Sequence, residues 1–200
     1  MKNYIWDFDG MLFDSYPHIT KAFQLAMAGF GKEVDYTEAK SLLEIKFDVC
    51  YNHYGVSPEM KAKHKEYEHD YSLEPVVEPF PNTFKTLFTL KERGVRHYLY
   101  THRGHETSQH YLEKFNMAQL FDGFVDSDMK FPDKPAPDAI EYICTEYGLD
   151  KSETIMIGDR EIDVLAGKNA GVFACLYTKD LSTDTVADYK VSDIIQILDI

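Results

Sequence analysis

The chain has 200 residues, 44% hydrophobic and 28% charged, the balance of a folded domain with a sizeable core and not of a disordered chain. Its 21 Lys and Arg stand against 34 Asp and Glu, a net charge of −13, which disfavours nucleic acid as a bulk partner but leaves room for a small phosphorylated metabolite. Cys50, Cys144 and Cys175 read as free thiols of a reducing compartment, and no apolar run approaches a membrane span or a signal peptide. The expectation is a cytoplasmic protein with no membrane and no nucleic-acid partner, and an oligomeric state that the sequence does not specify.

Asn3 to Trp6 is a short apolar run stopped by Asp7-Phe8-Asp9-Gly10, and is predicted as the first strand. Residues 16–79 then hold only helical patterns: Ile19, Phe23, Ala26 and Met27, next Ala39, Leu42 and Leu43, next Met60 to Tyr71. Ser15, after Asp14, reads as the N-cap of the first of these helices. The tyrosines of the stretch read mostly as packing residues, and His64 and His69, five apart, fall on different helix faces and make no zinc site. From residue 80 the pattern alternates. A helix is predicted over Pro81 to Arg93, then strands over Val95 to Tyr100 and Gly123 to Val125, then a helix over Pro137 to Tyr147. A strand over Thr154 to Ile157, a helix over Glu161 to Asn169, a strand over Val172 to Tyr177 and a short helix over Ser192 to Ile200 complete the chain. The expected fold is α/β: a doubly wound parallel-sheet, Rossmann-like core from residues 1–15 and 80–200, with a helical cap, residues 16–79, inserted after the first strand.

Ligands of such sheets bind beyond the carboxyl ends of the strands. Those ends carry Asp7 and Asp9, then Thr101, then Asp159, with Asp163 one helical turn further and Lys134 in the loop after the third core strand. Like charges gathered this way call for a cation. Mg²⁺ suits oxygen ligands and keeps coordination sites for a phosphate. Metal and lysine then neutralise a phosphoryl group while one carboxylate attacks phosphorus and a second handles the proton.

Four stretches resemble, in order, the four motifs of the haloacid dehalogenase-like superfamily of phosphohydrolases. They are Asp7-Phe8-Asp9-Gly10-Met11-Leu12-Phe13-Asp14-Ser15, then Leu99-Tyr100-Thr101, then Lys134-Pro135-Ala136-Pro137-Asp138, then Ile157-Gly158-Asp159-Arg160-Glu161-Ile162-Asp163. The insertion resembles the cap of the phosphoglycolate phosphatase and β-phosphoglucomutase subfamily. The resemblance implies a Mg²⁺-dependent phosphatase acting on a small phosphomonoester through an aspartyl phosphate. By the same resemblance Asp7 is the nucleophile, Asp9 the acid and base, and Thr101 and Lys134 the contacts to the transferring phosphate. Gly10 and His102 are expected at the phosphate too, with His18 and Lys46 of the cap as further substrate contacts. Asp7, the backbone carbonyl of Asp9, Asp159 and Asp163 are the implied metal set. Three positions depart from the family: Met11 replaces a Thr or Val, His102-Arg103 follows Thr101 where a small residue or Asn is common, and Arg160 follows Asp159.

Other readings stand beside this one. A phosphosugar mutase on the same fold needs cap contacts for a second phosphate, and all four arginines lie outside the insertion. A dehalogenase has no need of Asp9 or Asp159. A receiver-like signalling domain, the non-enzymatic alternative, lacks the paired acids and the insertion.

Overall fold

The computed structural model describes residues 1–200. In chain order the elements are β1 (Asn3–Trp6), β2 (Phe13–Asp14), α1 (Tyr16–Ala28), α2 (Tyr36–Ile45), α3 (Phe47–His53), α4 (Pro58–Glu68), β3 (Glu78–Pro79), α5 (Thr83–Glu92) and β4 (Arg96–Tyr100). They continue as α6 (His105–Lys114), β5 (Gly123–Val125), α7 (Asp138–Glu146), β6 (Thr154–Gly158), α8 (Glu161–Ala170), β7 (Phe173–Tyr177) and β8 (Tyr189–Val191). The chain divides into two compact units, one of Met1–Phe13 with Pro79–Ile200 and one of Asp14–Glu78.

The first unit is a six-stranded sheet in the order β5-β4-β1-β6-β7-β8, parallel throughout. This is the doubly wound α/β arrangement expected from the alternation. After β1 the chain builds outward through β4 and β5, then crosses to β6 and builds the other way, so the sheet switches direction beside β1. Every residue of β1 and β6 is buried, which is why both read as unbroken apolar runs. On one face Ile5, Tyr98, Val125 and Met156 pack with Ile140 and Ile143 of α7 and Ala166 of α8. The second unit is helical. Ile19, Phe23, Ala26 and Met27 of α1 pack with Ala39, Leu43 and Cys50, and Tyr51, Tyr54 and Tyr67 border that cluster. No helix is long and apolar enough to cross a membrane.

Four features differ from expectation. Helix α6 was not predicted, because its inward face is Thr107, Ser108, Tyr111 and Leu112, too polar to show an apolar stripe. Helix α3, which starts at Phe47 directly after Lys46, was not predicted either. The predicted C-terminal helix is a 3₁₀ turn over Ile194–Asp199, preceded by the short edge strand β8. Ser15 occupies the N-cap position of α1, but its hydroxyl makes no capping bond and is buried.

A buried polar pair on the other face of the sheet ties stability to pH. Trp6 Nε1 donates to His97 Nδ1 at 3.0 Å, and His97 Nε2 faces the Leu87 carbonyl at 3.1 Å. This geometry needs the neutral ring with its proton on Nε2. Burial pushes the imidazole from its usual 6.5 down to about 4. A folded-state value below the unfolded one contributes stability that is full above about pH 6.5 and lost as pH falls toward 4, on the order of 3 kcal/mol. In urea unfolding, the stability gap between the wild type and His97→Gln should narrow by about 2 kcal/mol between pH 7 and pH 4.5. Parallel pH profiles would contradict this role.

Candidate active site

Asp7 is fixed by the sheet. Its amide donates to the Ile157 carbonyl at 2.9 Å, which extends the pairing of β1 with β6 by one residue. Residues 8–13 then double back: the amides of Leu12 and Phe13 both reach the Phe8 carbonyl, at 3.1 and 3.0 Å. Gly10 sits at φ +77°, a left-handed conformation that a side chain would strain. Its amide donates to the Phe13 carbonyl at 2.9 Å, so the N–H of this residue, expected at the phosphate, is engaged within the turn that Gly10 builds. Thr101 is held in the same way at the tip of β4, its amide donating to the Val125 carbonyl at 3.0 Å.

Lys134 arrives from the loop before α7 with its side chain sealed from solvent. Its Nζ lies 2.7 Å from Asp7 Oδ1, 2.8 Å from Asp163 Oδ1 and 3.0 Å from the Tyr100 carbonyl, above the Tyr100 ring. Asp163, wholly buried in the first turn of α8, also accepts from the Arg160 amide at 3.1 Å through Oδ2. That helix turn lies against the tip of β6 only because residue 158 is glycine: a Cβ there would meet the Cβ of Asp163 at 2.3 Å.

Burial pushes Asp7 up to about 6, although Lys134 pulls it down. Burial likewise pushes Asp159 well above the carboxylate range, and the nearby charges of Asp163 and Asp7 add to it. Asp163 suffers the same burial, yet Lys134 and Arg160 outweigh it and hold the group below its ordinary value. One lysine therefore serves two carboxylates while the third lacks a close cation. The Arg160 guanidinium comes only to 3.9 Å from an oxygen of each of Asp7, Asp159 and Asp163.

One oxygen from each of Asp7, Asp159 and Asp163 lies within 4.8 Å of the others. Asp7 Oδ2 and Asp159 Oδ1 are buried and accept no hydrogen bond. Buried carboxylate oxygens without donors fit a small hard cation, and an all-oxygen donor set suits Mg²⁺ better than a thiophilic metal.

The remaining expected residues divide. His102 is exposed, and its Nε2 accepts only a long 3.4 Å contact from the Lys134 amide. Lys46 is half exposed in the helical unit and reaches Asp48 at 3.9 Å. His18, expected as a substrate contact of the cap, is not exposed on its helix. Its ring is buried within the helical unit, Nδ1 at 3.2 Å from the carbonyls of Leu73 and Pro75 and Nε2 at 3.0 Å from that of Glu68, so both nitrogens are occupied by backbone. The Asp9 side chain stands outside the three-carboxylate group, its Oδ1 accepting from Arg103 Nε at 2.8 Å. Sequence reasoning missed that contact. It marked Arg103 only as a departure from the family pattern, whereas the side chain is buried against this contact.

A family model for haloacid dehalogenase-like hydrolases matches residues 4–177. The chain belongs to that family. The pyrophosphatase PpaX of Halalkalibacterium halodurans is 36% identical over 114 residues, 57% of this chain and 53% of that protein, so the chain spans about half the length of this relative. The phosphoglycolate phosphatase of Aquifex aeolicus is 26% identical over 100% of this chain and 97% of its own. A hydrolase from Streptococcus pneumoniae of known crystal structure is 30% identical, covers 100% of both chains and superposes with a TM-score of 0.68.

Two substitutions separate the charges of the site by thermal unfolding. Lys134→Met leaves two buried carboxylates without their cation and should cost about 3 kcal/mol or more, lowering the midpoint by roughly 6–12 °C. Mg²⁺ should raise the midpoint of the wild type, and Asp159→Asn should raise the midpoint of the metal-free protein at pH 7 and abolish that further rise. A Mg²⁺-dependent rise of the same size in Asp159→Asn would contradict the assignment of the cation to these oxygens.

Proposed function

We propose that the protein is a Mg²⁺-dependent phosphatase that hydrolyses a small phosphomonoester, of the phosphoglycolate or sugar-phosphate kind, through a phosphoryl group carried on Asp7. The observation that carries this reading is the Lys134 ammonium buried between Asp7 and Asp163, beside two carboxylate oxygens with no donor. The names of the relatives support the substrate class, and the three buried, unpaired thiols support a reducing, cytoplasmic setting.

Asp7 and Asp159, with the backbone carbonyl of Asp9, would hold Mg²⁺, and Asp163 would steady the set through Lys134 and the Arg160 amide. The ion when bound offsets phosphoryl charge and makes phosphorus more electrophilic. Asp7 attacks phosphorus with a carboxylate oxygen, and the ester P–O bond breaks with its electron pair on the leaving oxygen. Asp9 gives that oxygen a proton. In the second half Asp9 takes a proton from water as the water oxygen attacks phosphorus, and the bond to Asp7 breaks to restore its carboxylate. Lys134 offsets the charge on Asp7 and on the phosphoryl oxygens throughout. The Thr101 hydroxyl accepts from the Arg103 amide at 3.1 Å, which leaves its own proton to donate to a phosphoryl oxygen.

Release of inorganic phosphate should be measured on a panel of small phosphate esters and a generic aryl phosphate, with Mg²⁺ and with chelator. Turnover should need Mg²⁺ and should fall by about a thousand-fold or more in Asp7→Asn. Metal-dependent turnover that survives Asp7→Asn would overturn the role of Asp7, and conversion of a sugar phosphate to its isomer without phosphate release would favour a mutase.

A further inference from the structure

Arg103 is the buried cation in the first unit that the reaction above does not use. Its side chain is 3% exposed, against 19% for the side chain of Asp9. The guanidinium lies 5.2 Å above the Phe8 ring and 5.8 Å from that of Tyr111, with Nε donating to Asp9 Oδ1 at 2.8 Å. The arginine backbone is tethered at both ends: its amide donates to Thr101 Oγ1 at 3.1 Å, and its carbonyl accepts from the Ser127 amide at 3.0 Å. A planar guanidinium packed on aromatic faces is a donor of fixed position, unlike the flexible ammonium of a lysine.

We propose that Arg103 is a positioning residue for Asp9, fixing by its grip on Oδ1 the direction in which Oδ2 meets the leaving oxygen; this role rests on the phosphatase reading. The torsion that turns a carboxylate about its own axis is broad and two-fold, so an exposed aspartate samples many directions. Holding one oxygen at 2.8 Å from an immobile donor removes that freedom. The proton then has a defined origin: it leaves Asp9 Oδ2 for the leaving oxygen as the ester P–O bond breaks, and Asp9 is left as a carboxylate still paired with Arg103. Orientation of this kind is worth much of what general acid catalysis contributes. Arg103 also follows Thr101 by two residues, so one short loop presents both the hydroxyl proposed for phosphate and the arginine that orients the acid.

A buried pair that merely ties the turn of residues 8–13 to the loop after β4 would look similar, so the test must separate the two roles. Leaving groups do this. An alkyl phosphate expels a basic alkoxide that needs the proton, whereas p-nitrophenyl phosphate expels a stabilised phenolate that hardly does. Arg103→Met and Arg103→Lys should be compared with the wild type by kcat/KM and KM on both esters with Mg²⁺ present, and their folding checked by circular dichroism and thermal unfolding. In Arg103→Met, kcat/KM for the alkyl ester should fall about a hundred-fold with KM within a few-fold of wild type, and for p-nitrophenyl phosphate by no more than a few-fold. Arg103→Lys should lie between the two and show the same leaving-group selectivity, and it decides the matter alone if Arg103→Met does not fold. Equal losses on both esters, or no loss on either, would overturn the positioning role while leaving the phosphatase reading intact. A wild-type chain that hydrolyses neither ester would overturn the phosphatase reading, and this role with it.

Discussion

A single ammonium, Lys134, held out of water between Asp7 and Asp163, is the constraint around which the first unit is arranged. A charge at that depth is tolerated only if its partners are placed within tenths of an ångström, and each partner comes from a different element. Asp7 is pinned at the tip of β1 by its bond to Ile157, Asp163 by the first turn of α8, and Lys134 by a loop that Asn169 braces through the Pro135 carbonyl. The switch of the sheet beside β1 brings the tips of β1, β4 and β6 together. Gly158 lets α8 close on them. The fold is thus less a container for the site than the means of holding opposite charges at contact distance in a dry place.

The charges do not cancel, and that imbalance has a purpose. Lys134 satisfies Asp7 Oδ1 and Asp163, Arg160 stays at 3.9 Å, and Asp7 Oδ2 and Asp159 Oδ1 are left without donors. A chain selected for stability alone would have filled these positions with apolar side chains of similar volume. Leaving two buried carboxylate oxygens bare destabilises the free protein, and under the proposed function these oxygens would take a small divalent ion. The same bareness keeps Asp7 Oδ2 free of competing hydrogen bonds. On the proposed function, stability given up at the strand tips would reappear as affinity and reactivity there.

How much of this could be read from the sequence depended on how each residue is held. Strands buried on both faces showed as unbroken apolar runs, so β1, β5 and β6 were legible nearly to the residue. The tips of β1, β4 and β6 then announced Asp7, Thr101 and Asp159 through the rule that ligands bind at the carboxyl ends. Helix α6 was not legible because its inward positions are Thr107 and Ser108 as much as Tyr111 and Leu112. Where a polar group finds its hydrogen-bond partner was not legible. The glycine after the paired acids suggests a phosphate loop, but nothing local reveals that the Gly10 amide goes to Phe13. His18 lies one turn into a helix, and only the folded helical unit brings the carbonyls of Glu68, Leu73 and Pro75 onto its ring. Arg103 is the instructive case. A charged residue in a loop reads as exposed, and its burial needs an aspartate 94 positions away together with Phe8 and Tyr111.

The central claim is that this buried ion arrangement prepares Asp7, and no other carboxylate, to carry the phosphoryl group. The most direct measurement is rapid acid quench of the protein during turnover of a phosphate ester, followed by peptide mapping of any acyl phosphate by mass spectrometry. The account predicts a phosphoryl group on the peptide of residue 7, cleaved by hydroxylamine and missing in Asp7→Asn. A phosphoryl group on Asp9, Asp159 or Asp163, or steady turnover with no covalent species under conditions that trap one in related phosphatases, would contradict it.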